Sequence, residues 1–171
     1  IFMIVSQLLR EGVFRLSPRP DAALCSRVLL AFVLGISQEA LVARSPDSVF
    51  VEVEKRFFLL IERRFSGVPL AYLVQRKEFY GLDFYVDERV LIPRPETELL
   101  VDEVLRIFRN DQNFFNESAV IADIGTGSGC IAVSLASRLP SVHFLAVDIS
   151  PDALDVARKN ISTYQFIDRI E

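Results

Sequence analysis

Apolar positions keep one spacing through the first part of this chain and change it at about Lys77. From Ile1 to about Gln75 they recur every three or four residues, the period of helices with one buried face. In "PDAALCSRVLLAFVLG", Leu24, Val28, Ala31 and Leu34 fall near one face, and Gly35 stands as the stop. "SQEAL" marks a second start, with Ser37 as N-cap and an acid in the first turn. "PDSVFVEVEKRFFLLIERRFSG" reads as a long amphipathic helix in which Phe50, Val53, Phe57, Leu60 and Ile61 repeat at three and four. Its charges form a solvated face, and Gly67 ends it. Residues 1–75 are therefore expected to form an all-α module.

From about Lys77 the period falls to two. "EFYGLDFYVDERVLIP" alternates aromatic or branched residues with polar ones around Gly81 and again around Asp87 and Glu88, which predicts a short antiparallel ribbon over 76–92. "PRPETELLVDEVLRIF" restarts a helix, with Pro95 at its first position and Glu96 and Glu98 at the positive end of its dipole. Leu100, Val104 and Ile107 or Phe108 form its expected stripe. "RNDQNFFNES" is a polar connection. "AVIADIG" then reads as a buried strand, "GCIAVSLASRLP" as a helix with Ile131, Leu135 and Leu139 on one face, and "VHFLAVD" as a second buried strand. "SPDALDVARKN" opens a helix capped by Ser150, with Pro151 in its first turn. Helices follow strands from residue 93 onward, so the expected class is α/β with a parallel sheet behind an α-helical front and a β-ribbon linker.

Composition narrows the picture. Half of the 171 residues are hydrophobic and a quarter are charged, as in a packed globular protein. The longest apolar run, Val28 to Ile36, is too short to span a bilayer and is broken by Gly35. The start carries no basic leader and no cleavage site of a signal peptide, although it opens on Ile and not Met. A net charge of −4 without a basic block argues against a large nucleic-acid footprint. Cys25 and Cys130 lie far apart without metal-ligand spacing, so both are read as packing residues in a reducing cytoplasm. One histidine, His143, inside an apolar run leaves no basis for a zinc site.

The chemistry gathers at "DIGTGSGC". Gly125, Gly127 and Gly129 sit where a strand turns into a helix, and there a ligand can approach the main chain closely. Asp148 lies 19 residues after Gly129, at the carboxyl end of the next strand, where an acid can accept from both hydroxyls of a ribose. The alternative is a tight turn beside a solvated strand end. A dinucleotide site fits less well, because the spacing is G-x-G-x-G and Asp123 would repel a pyrophosphate. Asp123 could instead accept from an ammonium group, which favours S-adenosyl-L-methionine.

At these residues the sequence resembles the HemK/PrmC family of protein-(glutamine-N5) methyltransferases, which modify peptide-chain release factors. "DAALCSRVLLAFVLG" is similar to the family's helical N-terminal module. "RRFSGVPLAYLVQRKEFYGLDFYVDERVLIPRPETELLVDEVL" is similar to its linker and first catalytic-domain helix. "IADIGTGSGCIAVSLASRLPSVHFLAVDISPDALDVARKN" is similar to its cofactor half-site. Gln75 departs from the family's usual glycine, with a local effect expected. The resemblance implies a helical recognition module over 1–75, a hairpin linker over 76–92, and the first part of a Rossmann-like class I methyltransferase domain over 93–171. It implies that Gly125, Thr126, Gly127, Ser128 and Gly129 form the loop around S-adenosyl-L-methionine and that Asp148 holds the ribose. Asp123 joins this set, and the segment from Arg94 to Glu98 is expected to approach the methionine end with Thr97. For Thr97 and Glu98 helix capping is the competing role, and for Phe79 and Tyr80 hinge packing is favoured over substrate contact.

The resemblance also implies a protein partner. The helical module would recognise a release factor and present the glutamine of its Gly-Gly-Gln motif, the protein acting as a cytoplasmic monomer. The family's Asn-Pro-Pro-Tyr motif, which aims the poorly nucleophilic amide nitrogen at the methyl group, falls beyond Glu171. No residue is therefore assigned a catalytic role. The expectation is the front part of an enzyme, inactive by itself, with a hydrophobic edge left bare beside "VIADIG". Three other readings compete: a nucleic-acid adenine-N6 methyltransferase, an NAD-binding oxidoreductase and a non-catalytic binding module.

Overall fold

The computed structural model describes residues 3–110 and 119–171. The chain divides into two compact units, Ile1–Val74 and Gln75–Glu171, each with its own core. The first unit is helical throughout: α1 (Val5–Leu16), α2 (Ala22–Leu34), α3 (Gln38–Ala43), α4 (Val51–Phe65) and α5 (Leu70–Val74). Gly35 takes a left-handed φ of +65° and closes α2, and Ser37 caps α3 by accepting the Ala40 N–H at 3.2 Å. Leu8 and Leu16 of α1, Leu29 and Leu30 of α2, and Phe57 and Ile61 of α4 fill the core. Burial of Phe57 alone contributes about 1.5–3 kcal/mol.

Two of these helices depart from their expected buried sets, α2 by its face and α4 at its start. In α2 the buried set is Ala22, Cys25, Ser26, Leu29, Leu30 and Ala31, whereas Leu24 is 50% exposed and Val28 and Leu34 are half-buried. This helix is apolar almost all round, so its periodicity alone does not select a face. In α4, Phe57, Leu60 and Ile61 are buried as expected, but Phe50 stands before the first turn and is 76% exposed.

Close approach decides the geometry of this unit. A Cβ on Gly12 would lie 2.5 Å from Ser26 Oγ and 2.6 Å from Phe57 Cζ, so α1 meets α2 and α4 at a point where only hydrogen fits. Ser26 fixes the contact by donating to the Leu9 carbonyl at 3.0 Å. Nearby, Arg64 reaches from α4 to the Asp21 carboxylate at 2.5 Å, to Cys25 Sγ at 3.2 Å and to the Val68 carbonyl at 3.1 Å. The bond from Arg64 holds the Asp21 carboxyl down at about 2, while burial pushes the Cys25 thiol up. Cys25 is fully buried and unoxidised, as a packing residue should be.

In the second unit β1 (Lys77–Phe79) and β2 (Leu82–Phe84) pair antiparallel, with Phe79 opposite Leu82. Tyr80 and Gly81 have φ of +53° and +75°, the doubly left-handed geometry that a two-residue hairpin turn requires. The expected second reversal at Asp87 and Glu88 is no strand pair. The Asp87 carboxylate accepts from the backbone and guanidinium of Arg89 and from the Tyr85 hydroxyl, so this stretch closes locally and the ribbon ends at Phe84.

A single 3₁₀ turn, Pro95–Thr97, leads into α6 (Glu98–Asn110). The stripe of α6 is shifted by one residue from expectation: Val101 and Leu105 are buried, and Leu100 is 52% exposed. Packing against α7 (Cys130–Ala136) selects this face of α6. Residues 111–118, most of the polar connection, lie outside the described residues.

Then come β3 (Val120–Ile124), α7 (Cys130–Ala136), β4 (His143–Val147) and α8 (Pro151–Thr163). β3 and β4 pair in parallel from Val120 opposite His143 to Ile124 opposite Val147. On the other edge of β4, the Phe144 N–H donates to the Arg169 carbonyl, and Glu171 exchanges bonds with Phe144 and Ala146. The strands were expected to be buried on both sides, but Val120 is 65% and Ile124 74% exposed, on the face they share with Leu145 and Val147. α7 packs on β4 and α8 on α7, so these helices cover only the face that carries Phe144. No described helix is long and apolar enough to cross a membrane.

Two outcomes follow from the helical unit. Gly12→Ala should lower stability by roughly 1–3 kcal/mol, because the methyl group must displace Ser26 or Phe57; thermal unfolding by circular dichroism measures it. Asp21 titrates lower folded than unfolded, so its stabilisation is full above its unfolded value of about 4 and is lost as the pH falls toward 2. Asp21→Asn should therefore melt below the wild type at pH 6, and melting curves taken down to pH 2 should show the gap closing.

Candidate functional site

Both parallel strands deliver an acid to the same end of the sheet. At the tip of β3 the chain turns through Gly125, Gly127 and Gly129, with φ of +81°, +54° and +77°. The N–H groups of Gly125 and Thr126 both donate to the Val147 carbonyl, at 2.7 and 2.9 Å, so the β3–β4 ladder runs directly into the turn. Gly129 then donates to the Thr126 carbonyl at 2.8 Å and leads into α7. A Cβ on Gly129 would come within 3.4 Å of Ala157 Cα and Cβ, so the turn also lies flat against α8.

Asp148 stands one residue past β4. Its Oδ2 accepts the Gly127 N–H at 2.8 Å and its Oδ1 accepts the Ser150 N–H at 3.0 Å. The backbone donors of Ser150 and Gly127 hold its carboxyl below the usual range, so it is ionised at neutral pH. Asp123 behaves in the opposite way. Burial pushes its carboxyl up, the Thr126 hydroxyl opposes this by donating to Oδ2 at 2.7 Å, and the Asp148 charge adds to the rise. The site thus holds one carboxyl that backbone donors hold down and one that burial pushes up.

The expected residues divide by what they present. Gly125, Gly127, Gly129, Asp123 and Asp148 come together at the strand ends. Thr126 and Ser128 belong to the same turn, but their side chains are buried, so the turn offers a ligand its main chain. Thr97 sits in the 3₁₀ turn with its N–H on the Arg94 carbonyl, and among the described residues no hydrogen bond links it to the glycine turn. Glu98 accepts the Tyr80 N–H at 2.9 Å, and Asp102 accepts the Tyr80 hydroxyl at 2.6 Å, so α6 grips the hairpin turn. Phe79 packs against Phe84 inside the unit. Burial pushes the Cys130 thiol up to about 11, so it is an unreactive packing group. Among the described residues no cluster of His, Cys, Asp and Glu could hold a metal ion.

Asn160 was missed. It is 1% exposed on α8, donates to the Ser128 carbonyl at 2.8 Å and the Tyr85 carbonyl at 3.0 Å, and accepts the Tyr85 N–H at 2.8 Å. The signal was present in the sequence: an amide in phase with Val156 and Ala153 on the apolar stripe of a helix.

Thr126→Val removes the hydroxyl that Asp123 accepts and nothing else of similar polarity. Asp123 should then titrate at a higher pH than in the wild type, readable from its side-chain carboxyl carbon by NMR.

Both units of the chain match known protein families. Residues 7–74 match the PrmC N-terminal domain, and residues 121–171 match a methyltransferase domain. Proteins named release factor glutamine methyltransferase are similar over most of the chain. The one from Chlorobaculum tepidum is 40% identical over 150 residues, 88% of this chain and 51% of the relative. That from Moorella thermoacetica is 43% identical over 164 residues, 92% of this chain and 55% of the relative. That from Burkholderia pseudomallei is 44% identical over 141 residues, 82% and 48%. The chain therefore spans about half the length of the curated relatives it matches. With the helical module and the glycine-turn unit matched in this order, the chain belongs to the HemK/PrmC family.

Proposed function

We propose that this chain carries the S-adenosyl-L-methionine site of a protein methyltransferase whose acceptor is the side-chain amide nitrogen of the Gly-Gly-Gln glutamine in a peptide-chain release factor. The observation that carries the cofactor reading is Asp148. Each of its oxygens receives one backbone N–H, and a carboxylate has about four acceptor positions, so each oxygen can still take a hydroxyl. A ribose diol fits that capacity. Asp123, whose carboxyl burial pushes up, fits a ligand ammonium, which would favour its charged form. The unit from Gln75 onward carries sixteen acidic against ten basic residues, a balance that favours a cationic ligand over a pyrophosphate.

The cofactor supplies an electrophilic methyl group on a sulfonium. This chain's residues bind and orient it: the main chain of residues 125–129 lies against it, Asp148 fixes the ribose and Asp123 takes the ammonium. None of the described residues is assigned to the acceptor amide. The names of the relatives support the release factor as substrate, and the helical unit, matched to the family's N-terminal domain, is its docking module. We place the protein in the cytoplasm, as a monomer, where such a substrate is met and where two unpaired buried thiols are at home.

Calorimetric titration of this chain with S-adenosylhomocysteine, with NAD as control, tests the cofactor reading. Heat is expected with the first alone, and Asp148→Asn should weaken binding roughly tenfold or more, because charged acceptors contribute about 1.5–3 kcal/mol per bond. Heat with NAD alone, or none with S-adenosylhomocysteine, would overturn it.

A further inference from the structure

Asn160 has a place that a purely structural helix residue does not need. Asparagine disfavours the interior of a helix, and a buried amide costs free energy unless its donors and acceptor are met. Here all three are met, and by two different segments: the glycine turn, through the Ser128 carbonyl, and the exit of the hairpin, through the N–H and carbonyl of Tyr85. β2 ends at Phe84, so these Tyr85 groups have left the ribbon's ladder. An apolar residue at 160 would leave the buried Ser128 carbonyl and the two half-buried Tyr85 backbone groups without these partners.

The neighbours of Asn160 act in the same direction. Ala157, one turn earlier on α8, is the surface on which Gly129 lies. Lys159 places its ammonium 3.1 Å from the centre of the Tyr85 ring. Tyr85 in turn donates its hydroxyl to Asp87, which is bound to Arg89 on the way to the 3₁₀ turn at Pro95. Tyr164, the residue that follows the end of α8, also holds the hairpin, but only there: its hydroxyl accepts the Asp83 N–H and donates to the Asp83 carbonyl.

We propose that Asn160 is a positioning residue that couples the main chain of the glycine turn to the hairpin, so that the two move as one body. The cofactor then meets a turn whose shape depends on the seating of residues 77–85. The consequence for ligand binding rests on the cofactor reading above; the coupling itself does not.

Amide hydrogen exchange and ligand titration on the same variants test this. In Asn160→Ala, exchange at Gly127, Gly129 and Tyr85 should quicken roughly tenfold, the effect of about 1.4 kcal/mol of lost local protection. Asn160→Asp, which cannot donate to the Ser128 carbonyl but can still accept the Tyr85 N–H, should quicken exchange at Gly127 and Gly129 and leave Tyr85 protected. Tyr164→Phe should quicken exchange at Asp83 and leave the glycine turn at the wild-type rate. S-adenosylhomocysteine affinity should fall roughly tenfold in both Asn160 variants and stay unchanged in Tyr164→Phe. Wild-type exchange of the glycine turn in Asn160→Ala, or a uniform quickening across the whole unit, would overturn the proposal. The expected exchange pattern with no ligand heat in the wild type would support the coupling and count against the cofactor reading.

Discussion

The Val147 carbonyl is where sheet and site become one structure. It accepts two N–H groups, from Gly125 and Thr126, so the ladder that pairs β3 with β4 extends into the glycine turn. A parallel pair admits only one register once that double bond is made, and the register places Asp123 and Asp148 at the same end of the sheet. Were the strands displaced by one residue, the acids would point to opposite faces and the main chain of the turn would face away from Asp148.

Around that ladder, polar bonds and close packing divide the work. Left-handed backbone at residues 125, 127 and 129 shapes the turn, while Ala157 and Asn160 of α8 hold it from behind. α6 and α8 grip the hairpin from two elements, through Glu98 and Asp102 at its turn and through Asn160 and Tyr164 at its far strand and exit. A segment that resembles a linker in sequence is thereby built into the unit that carries the site. The helical unit follows a different rule: its geometry turns on a missing side chain at Gly12 and on an arginine that joins α4 to the start of α2.

Val120, Ile124, Leu145 and Val147 lie in one apolar layer that no described element buries, yet the register and the turn are complete.

Much of this was legible in the chain because it depends on neighbours in sequence. The glycine spacing, the N-caps at Ser37 and Ser150, the stop at Gly35 and the acid after "VHFLAV" are short-range signals, and each stands where the pattern placed it. Family membership was legible for the same reason, from motifs in a fixed order. Tertiary packing decided what periodicity leaves open. An almost wholly apolar α2 can bury any face, so the neighbouring helices chose Cys25 and Leu29 over Leu24. In α6, packing against α7 buries Val101 and Leu105 and leaves Leu100 exposed. The role of Asn160 could not be read from its own surroundings, because its partners lie 32 and 75 residues away and only the fold brings a backbone carbonyl to meet a buried amide.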